Sequence, residues 1–162
     1  MKRSVMAAVI SAMLLAAMAA PVASCTWMGD LLETETKKSD VPDIPLDEVL
    51  TVDELLAGSF AGDTVWVRGW IIGGLASDGA VDFGCEGTVL GTALVLAEDA
   101  GCTEEDDCLV LQLTKKAHKE ALALDNPANK EKVLYRELFV QGKVGKHKGY
   151  PALSNLCAYK LE

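Results

Sequence analysis

The sequence predicts a mainly β domain, a small and strongly curved five-stranded barrel with a short helix before it and a second helix between strands three and four. Three observations predict it. Thr64 to Gly74 is the densest run of β-branched and aromatic residues in the chain, with Gly69 near its middle. Two further short apolar runs, Thr92–Ala97 and Cys108–Leu113, have strand length. A helix-period stretch from Lys115 to about Leu124 then separates the third strand from a fourth.

The chain opens with an address. Lys2 and Arg3 form a positive n-region, and the apolar run Val5 to Ala20 is too short and too rich in small residues for a membrane span. It ends in Val22-Ala23-Ser24-Cys25, which resembles the bacterial lipobox. Residues 1–24 are therefore expected to be a lipoprotein signal peptide, with Cys25 acylated and left as the new N-terminus. Ordinary cleavage near Ser24 is the alternative. Each buried methylene of an acyl chain contributes about 0.8 kcal/mol, so several chains hold a protein stably. The protein is expected to be exported to the cell envelope, lipid-anchored at the outer membrane and facing the periplasm. Removing Lys2 and Arg3 from 15 basic residues against 24 acidic ones takes the net charge from −9 to −11. Such a chain is poorly suited to nucleic acid or anionic lipid, so the anchor supplies the membrane contact. Residues 25–45 are polar, carry Pro42 and Pro45, and read as a lipidated tether.

Residues 46–162 form one domain. Thr51-Val52-Asp53-Glu54 fits a capping box that starts a short helix, with Leu55 and Leu56 apolar and Gly58 as its stop. In the first strand Gly69 suggests a bulge that flips the parity, putting Val65 and Val67 in the core with Trp70 and Ile72, and Trp66 outward. Gly73 to Gly91 reads as a long loop or irregular hairpin. Thr114 is a candidate cap for the Lys115–Leu124 helix, whose apolar side is Ala117, Ala121 and Leu124. Asp125-Asn126-Pro127 stops that helix. The fourth strand is expected from Val133 to Val144, a turn from Gly145 to Gly149, and the last strand from Tyr150 to Leu161.

A helix between the third and fourth strands is the plan of the OB-fold. Val65-Trp66-Val67-Arg68-Gly69-Trp70-Ile71-Ile72-Gly73, Asp125-Asn126-Pro127-Ala128-Asn129, Val140 with Gly142, and Gly149-Tyr150-Pro151-Ala152-Leu153 before Ala158-Tyr159 carry a closer likeness. Together they resemble the OB-fold-like domain of unknown function found in lipoproteins of Bacteroidota, over about Thr51 to Leu161. The resemblance implies a fold and a compartment and no established activity.

Cys85, Cys102, Cys108 and Cys157 remain once Cys25 is lipidated, and four cysteines allow three pairings. Cys102 and Cys108 flank a very acidic loop, so that bridge is favoured, with Cys85–Cys157 as the second. A four-cysteine zinc site is the rival, but the short spacing of about two to four residues that such sites favour is missing, and export favours disulfides. Six carboxylates lie between Glu98 and Asp107 without the ligand alternation or central glycine of a calcium loop, so the loop reads as a solvated charge run. No metal or other cofactor is expected.

The one basic feature is the turn holding Lys143, Lys146, His147, Lys148 and Tyr150. In OB-folds the loop between the last two strands helps frame the ligand groove, and basic charge beside an aromatic suits a phosphate backbone and stacked bases. Exposed hairpin tips also carry lysine simply to guard strand edges. Trp66 is expected to cover a helix or a sheet edge, with ligand stacking or a protein contact as its functional alternative. His118 and His147 have no sequence partner that forms a nucleophile–base pair, and no catalytic set is expected. The expected function is a lipid-anchored, non-catalytic binding module of the envelope. Its ligand would meet the face of strands two and three and the Lys143–Tyr150 turn. An envelope protein or a glycan is the expected partner, and net charge disfavours nucleic acid. The alternative is a structural or assembly subunit of an envelope complex, using Trp66 and the acidic loop as its contact.

Overall fold

The computed structural model describes residues 42–162. The signal peptide, Cys25 and nearly all of the 25–45 tether lie outside the described residues. Among those described, seven strands and three α-helices follow in the order β1 (Val49–Thr51), α1 (Val52–Ala57), β2 (Thr64–Ala76), β3 (Val81–Phe83), β4 (Val89–Ala97), β5 (Leu109–Gln112), α2 (Lys116–Leu122), α3 (Pro127–Val133), β6 (Glu137–His147) and β7 (Tyr150–Leu161).

The capping box forms as expected. Thr51 Oγ1 accepts from the Glu54 amide at 3.2 Å, and Glu54 Oε2 accepts from the Thr51 amide at 2.9 Å. These bonds satisfy two donors that the helix itself leaves free. Helix α1 ends at Gly58 and buries Val52 and Leu55. Beside it, β1 runs parallel to β2, with Val49 opposite Trp66. The first half of β2 also pairs antiparallel with β6, from Thr64 opposite Lys143 to Trp70 opposite Glu137. Its second half pairs with β4 and β3. The sheet order is β1-β2-β4-β5-β7-β6, and the β2–β6 pairing brings the path back to β2.

Strand β2 corrects the expected parity. Val65, Val67 and Ile71 share one apolar cluster with Leu94, Leu96, Leu109, Leu111 and Leu153, while Trp70, Ile72 and Leu75 face a second one. Gly69 therefore does not flip the strand. The register shifts against β4 come later, between Ile71 and Gly73 and between Gly74 and Ala76. Gly69 is needed for close approach, because a Cβ there would lie 2.6 Å from Val52 Cγ2 and 3.0 Å from the Ala97 carbonyl. Trp66 is 8% exposed. It is a buried side chain outside both clusters, which fits an outward-facing ring that is covered and leaves no open ring for stacking.

Helix α2 already ends at Leu122, with Ala123 at its cap position, and the Asn126-Pro127 pair expected to stop it starts another helix. Asn126 caps α3, its side chain accepting from the Ala128 amide at 3.0 Å, and Pro127 takes the first helical turn. Val133 is consequently helical, and the strand expected from Val133 starts at Glu137 instead. Residues Gly145 to His147 continue β6, so the turn shrinks to Lys148-Gly149. Helix α2 starts one residue later than expected, with Lys115 and not Thr114 at its cap position. It buries Leu122, while Ala117 and Ala121 are exposed.

Candidate functional site

Two loops and one turn meet at the end of the sheet where β7 begins. The connection from β2 to β3 brings in Asp78, Gly79 and Ala80. The acidic β4–β5 connection brings in Glu105 and Asp106, which sit in a short 3-10 turn, Glu105–Asp107. The β6–β7 turn brings in Lys148, Gly149 and Tyr150. Together they line an open cleft of about 550 Å³. Lys148 has a left-handed backbone (φ 50°) and sends its ammonium to the Ser77 carbonyl at 3.3 Å. Its stem lies over Gly79, where a Cβ would meet Lys148 Cδ at 3.0 Å. The Tyr150 hydroxyl donates to Glu105 Oε2 at 2.7 Å. That hydrogen bond holds the phenol in its neutral form and raises its pKa above the ordinary value of 10.

Of the basic and aromatic residues singled out in the sequence, the cleft gathers Lys148 and Tyr150. Lys143 and Lys146 are exposed on β6 but do not line it. His147 is half-buried opposite Tyr150, and its Nδ1 contacts Gln112 Nε2. Trp66 is away from the cleft and buried. The acidic run Glu104–Asp107 is exposed, as a solvated run should be, and two of its residues, Glu105 and Asp106, line the cleft that also holds Lys148.

The face of strands two and three is not open. Ala93, Val95 and Val110, on the side of β4 and β5 away from the main core, are each 0% exposed. Trp70, Val81, Phe83, Cys102 and Tyr150 pack against them. Residues of β2, β3 and β7, with Cys102 of the acidic loop, cover the surface expected to meet a ligand. A signal for this was present, since Ala93-Leu-Val-Leu-Ala97 is apolar at both parities, which marks a strand buried on both faces.

A larger cleft of about 780 Å³ lies on the other side of the acidic loop, lined by Trp70, Asp53, Glu98, Asp99, Glu104 and Asp107 among others. Glu98 is held in place there. It accepts from the Val52 amide at 3.1 Å and lies 4.0 Å from Arg68, which also meets Glu137 at 3.6 Å. Among the described residues no three His, Cys, Asp or Glu side chains converge as metal ligands.

Cys85, Cys102, Cys108 and Cys157 are all free thiols. The expected Cys85–Cys157 bridge is not formed. Cys85 is 4% exposed within the main core, whereas Cys157 is exposed with its Sγ toward the Asn155 carbonyl at 3.4 Å. Desolvation, with help from Asp82, pushes the Cys85 thiol up to about 11. Cys102 and Cys108 are also unbridged but adjacent, with both thiols directed at the Glu104 carbonyl.

The profile of the family described as Domain of unknown function (DUF6359) matches residues 50–162. The chain belongs to this family. The DUF6359 match spans every strand of the sheet except the first residue of β1, and it contains both clefts and the four cysteines of the domain. No curated protein matches the chain. Among solved structures it is similar to a putative aspartyl-tRNA synthetase from Leishmania major Friedlin, at 12% identity and a TM-score of 0.38. That likeness covers 82% of this chain and 22% of the synthetase, so the DUF6359 chain spans about a fifth of that protein's length.

Proposed function

We propose that residues 46–162 are a non-catalytic, OB-fold-like binding module, held at the bacterial envelope by lipid on Cys25. The observation that carries this reading is the path β2-β4-β5-β7-β6 returning to β2, with helices between β5 and β6. A five-stranded Greek-key barrel has that connectivity. In such barrels the loops after the first strand and before the last frame the ligand. Here those loops are the ones that supply Asp78 and Lys148 to the 550 Å³ cleft. The motifs around Thr64–Gly74 and Asp125–Asn129 support membership among Bacteroidota lipoproteins. The signal-peptide pattern of residues 1–24 and the lipobox-like Val22–Cys25 support export and anchoring.

A fold does not choose a ligand, so the cleft's chemistry must. Asp78, Glu105 and Asp106 line the cleft with a single ammonium, Lys148, on a chain of net charge −9. A phosphate backbone is repelled by that balance. The stacking platforms are also spent, because Tyr150 is bonded to Glu105 and Trp66 is buried. A neutral glycan or an envelope protein fits better than an oligonucleotide. A structural role in an envelope complex is the second reading. The exposed acidic turn at Glu105–Asp107 favours it, while burial of Trp66 removes the other half of its expected contact.

The test pairs two measurements on the mature protein. Binding to a labelled single-stranded oligonucleotide is expected to be absent even at low salt, and an array of envelope glycans is expected to give saturable binding that Lys148→Glu abolishes. Tight oligonucleotide binding with a steep salt slope would overturn the ligand class. In cells, Cys25→Ser is expected to abolish acyl labelling and membrane retention. Retention of that variant would overturn the anchor.

A further inference from the structure

The acidic connection between β4 and β5 acts as a strap. Its Cys102 packs against the outer cluster of these strands, where Ala93, Val95, Cys108 and Val110 are each 0% exposed. One residue near its middle, Glu105, takes the Tyr150 hydrogen bond. The strap is gathered by its own carbonyl at Glu104, toward which Cys108 Sγ lies at 3.1 Å and Cys102 Sγ at 3.6 Å. Two thiols aimed at one oxygen stand on the same side of the loop.

We propose that Cys102 and Cys108 are a thiol pair that a disulfide-bearing oxidant closes into a bridge, and that this bridge latches the strap over the outer face of β4 and β5. The order of events follows from exposure. Cys102 is half-buried and Cys108 is 0% exposed. Burial, with the neighbouring Cys102, pushes the Cys108 thiol up to about 12, so Cys108 does not start the exchange. The Cys102 thiolate attacks one sulfur of the oxidant, the oxidant's S–S bond breaks, and half of it leaves as a thiolate that takes up a proton. Cys108 then loses its proton and attacks the Cys102 sulfur, expelling the second half as a thiol. Two electrons and two protons leave the protein, one S–S bond forms between Cys102 and Cys108, and the oxidant's disulfide is reduced to two thiols. Cys85, enclosed in the main core, and Cys157, exposed and turned to its own Asn155 carbonyl, do not enter the bridge.

The full-length protein, equilibrated across a series of reduced-to-oxidised glutathione ratios, alkylated and digested without reductant, tests this. A peptide linking Cys102 to Cys108 is expected to grow as oxidised glutathione rises, while Cys85 remains alkylated and the exposed Cys157 joins no other cysteine of the chain. Amide exchange across residues 98–108 is expected to be slower in the oxidised form. Cys108→Ser, a near-isosteric change, is expected to stop the reaction at a glutathione adduct on Cys102, read as a mass shift. Alkylation of Cys102 and Cys108 at every ratio would overturn the pair, as would linkage of Cys102 to Cys85 or Cys157. Equal exchange of the strap in both forms would overturn the latch. No ligand enters the test, so its failure leaves the envelope-binding reading standing.

Discussion

Tyr150 donates its phenolic hydrogen to Glu105 at 2.7 Å, and this bond ties the β6–β7 turn to the acidic strap, 45 residues away in the sequence. A donor of this kind must keep its proton, so the folded protein raises the Tyr150 pKa above 10. The sign for stability follows. The contribution is complete below the unfolded value near 10 and is lost as the pH rises through the higher folded value. Glu105→Gln is expected to bring the Tyr150 titration back toward its ordinary range and to speed amide exchange across residues 98–108. Phenolate absorbance followed against pH measures the first effect, and an unchanged Tyr150 midpoint in the variant would contradict the bond.

Gly69→Ala is expected to destabilise the domain by about 1–3 kcal/mol, the usual cost of forcing an extra carbon into a packed core. The new Cβ would stand 2.6 Å from Val52 Cγ2 and 3.0 Å from the Ala97 carbonyl, and the carbonyl cannot rotate away. Chemical denaturation reads this directly. Pairing the change with Val52→Ala should recover part of the loss, because it removes one of the two clashes. If the double variant is no better than the sum of the single ones, the clash lies elsewhere.

His118 sets an acid limit. Burial, followed by the Lys115 cation, holds it below its ordinary value of 6.5, its Nδ1 is buried without a partner, and its ring meets Tyr159 edge-on with centroids 5.6 Å apart. The unfolded chain therefore takes up the proton first. The stability due to neutral His118 is complete above pH 6.5 and is lost as the pH falls through the lower folded value. Melting temperature measured from neutral to mildly acidic pH is expected to fall more in the wild type than in His118→Phe, which keeps an aromatic edge against Tyr159. Parallel curves would sink this account.

Local chemistry was legible in the chain; the covering of surfaces was not. The Thr51–Glu54 box and the span of the last strand, Tyr150 to Leu161, were readable because each is set by neighbours in sequence. Helix α3 was missed because Asn126-Pro127 reads equally as the stop of one helix and the start of the next, and here it is only the start. The strands β1 and β3 are three residues each, too short for any period to show. For the outer face of β4 and β5 the apolar run Ala93–Ala97 marked burial on both sides, but not which residues do the burying. Alternation says which side a residue takes, but only the tertiary fold says what lies over that side. Likewise, the sequence offered five basic or aromatic residues around one turn, and the pairing of β6 with β7 sends only Lys148 and Tyr150 into the cleft.

The return of β6 to β2 has a consequence for many copies crowded at high local density. Sheets aggregate through long strands whose backbone donors and acceptors are left without neighbours. Here β2, β4, β5, β6 and β7 each have a neighbour on both sides for part of their length, and the flanking segments β1 and β3 are three residues each. Such short flanks make poor templates for a foreign strand. Copies held side by side can therefore collide repeatedly without zipping into a fibre.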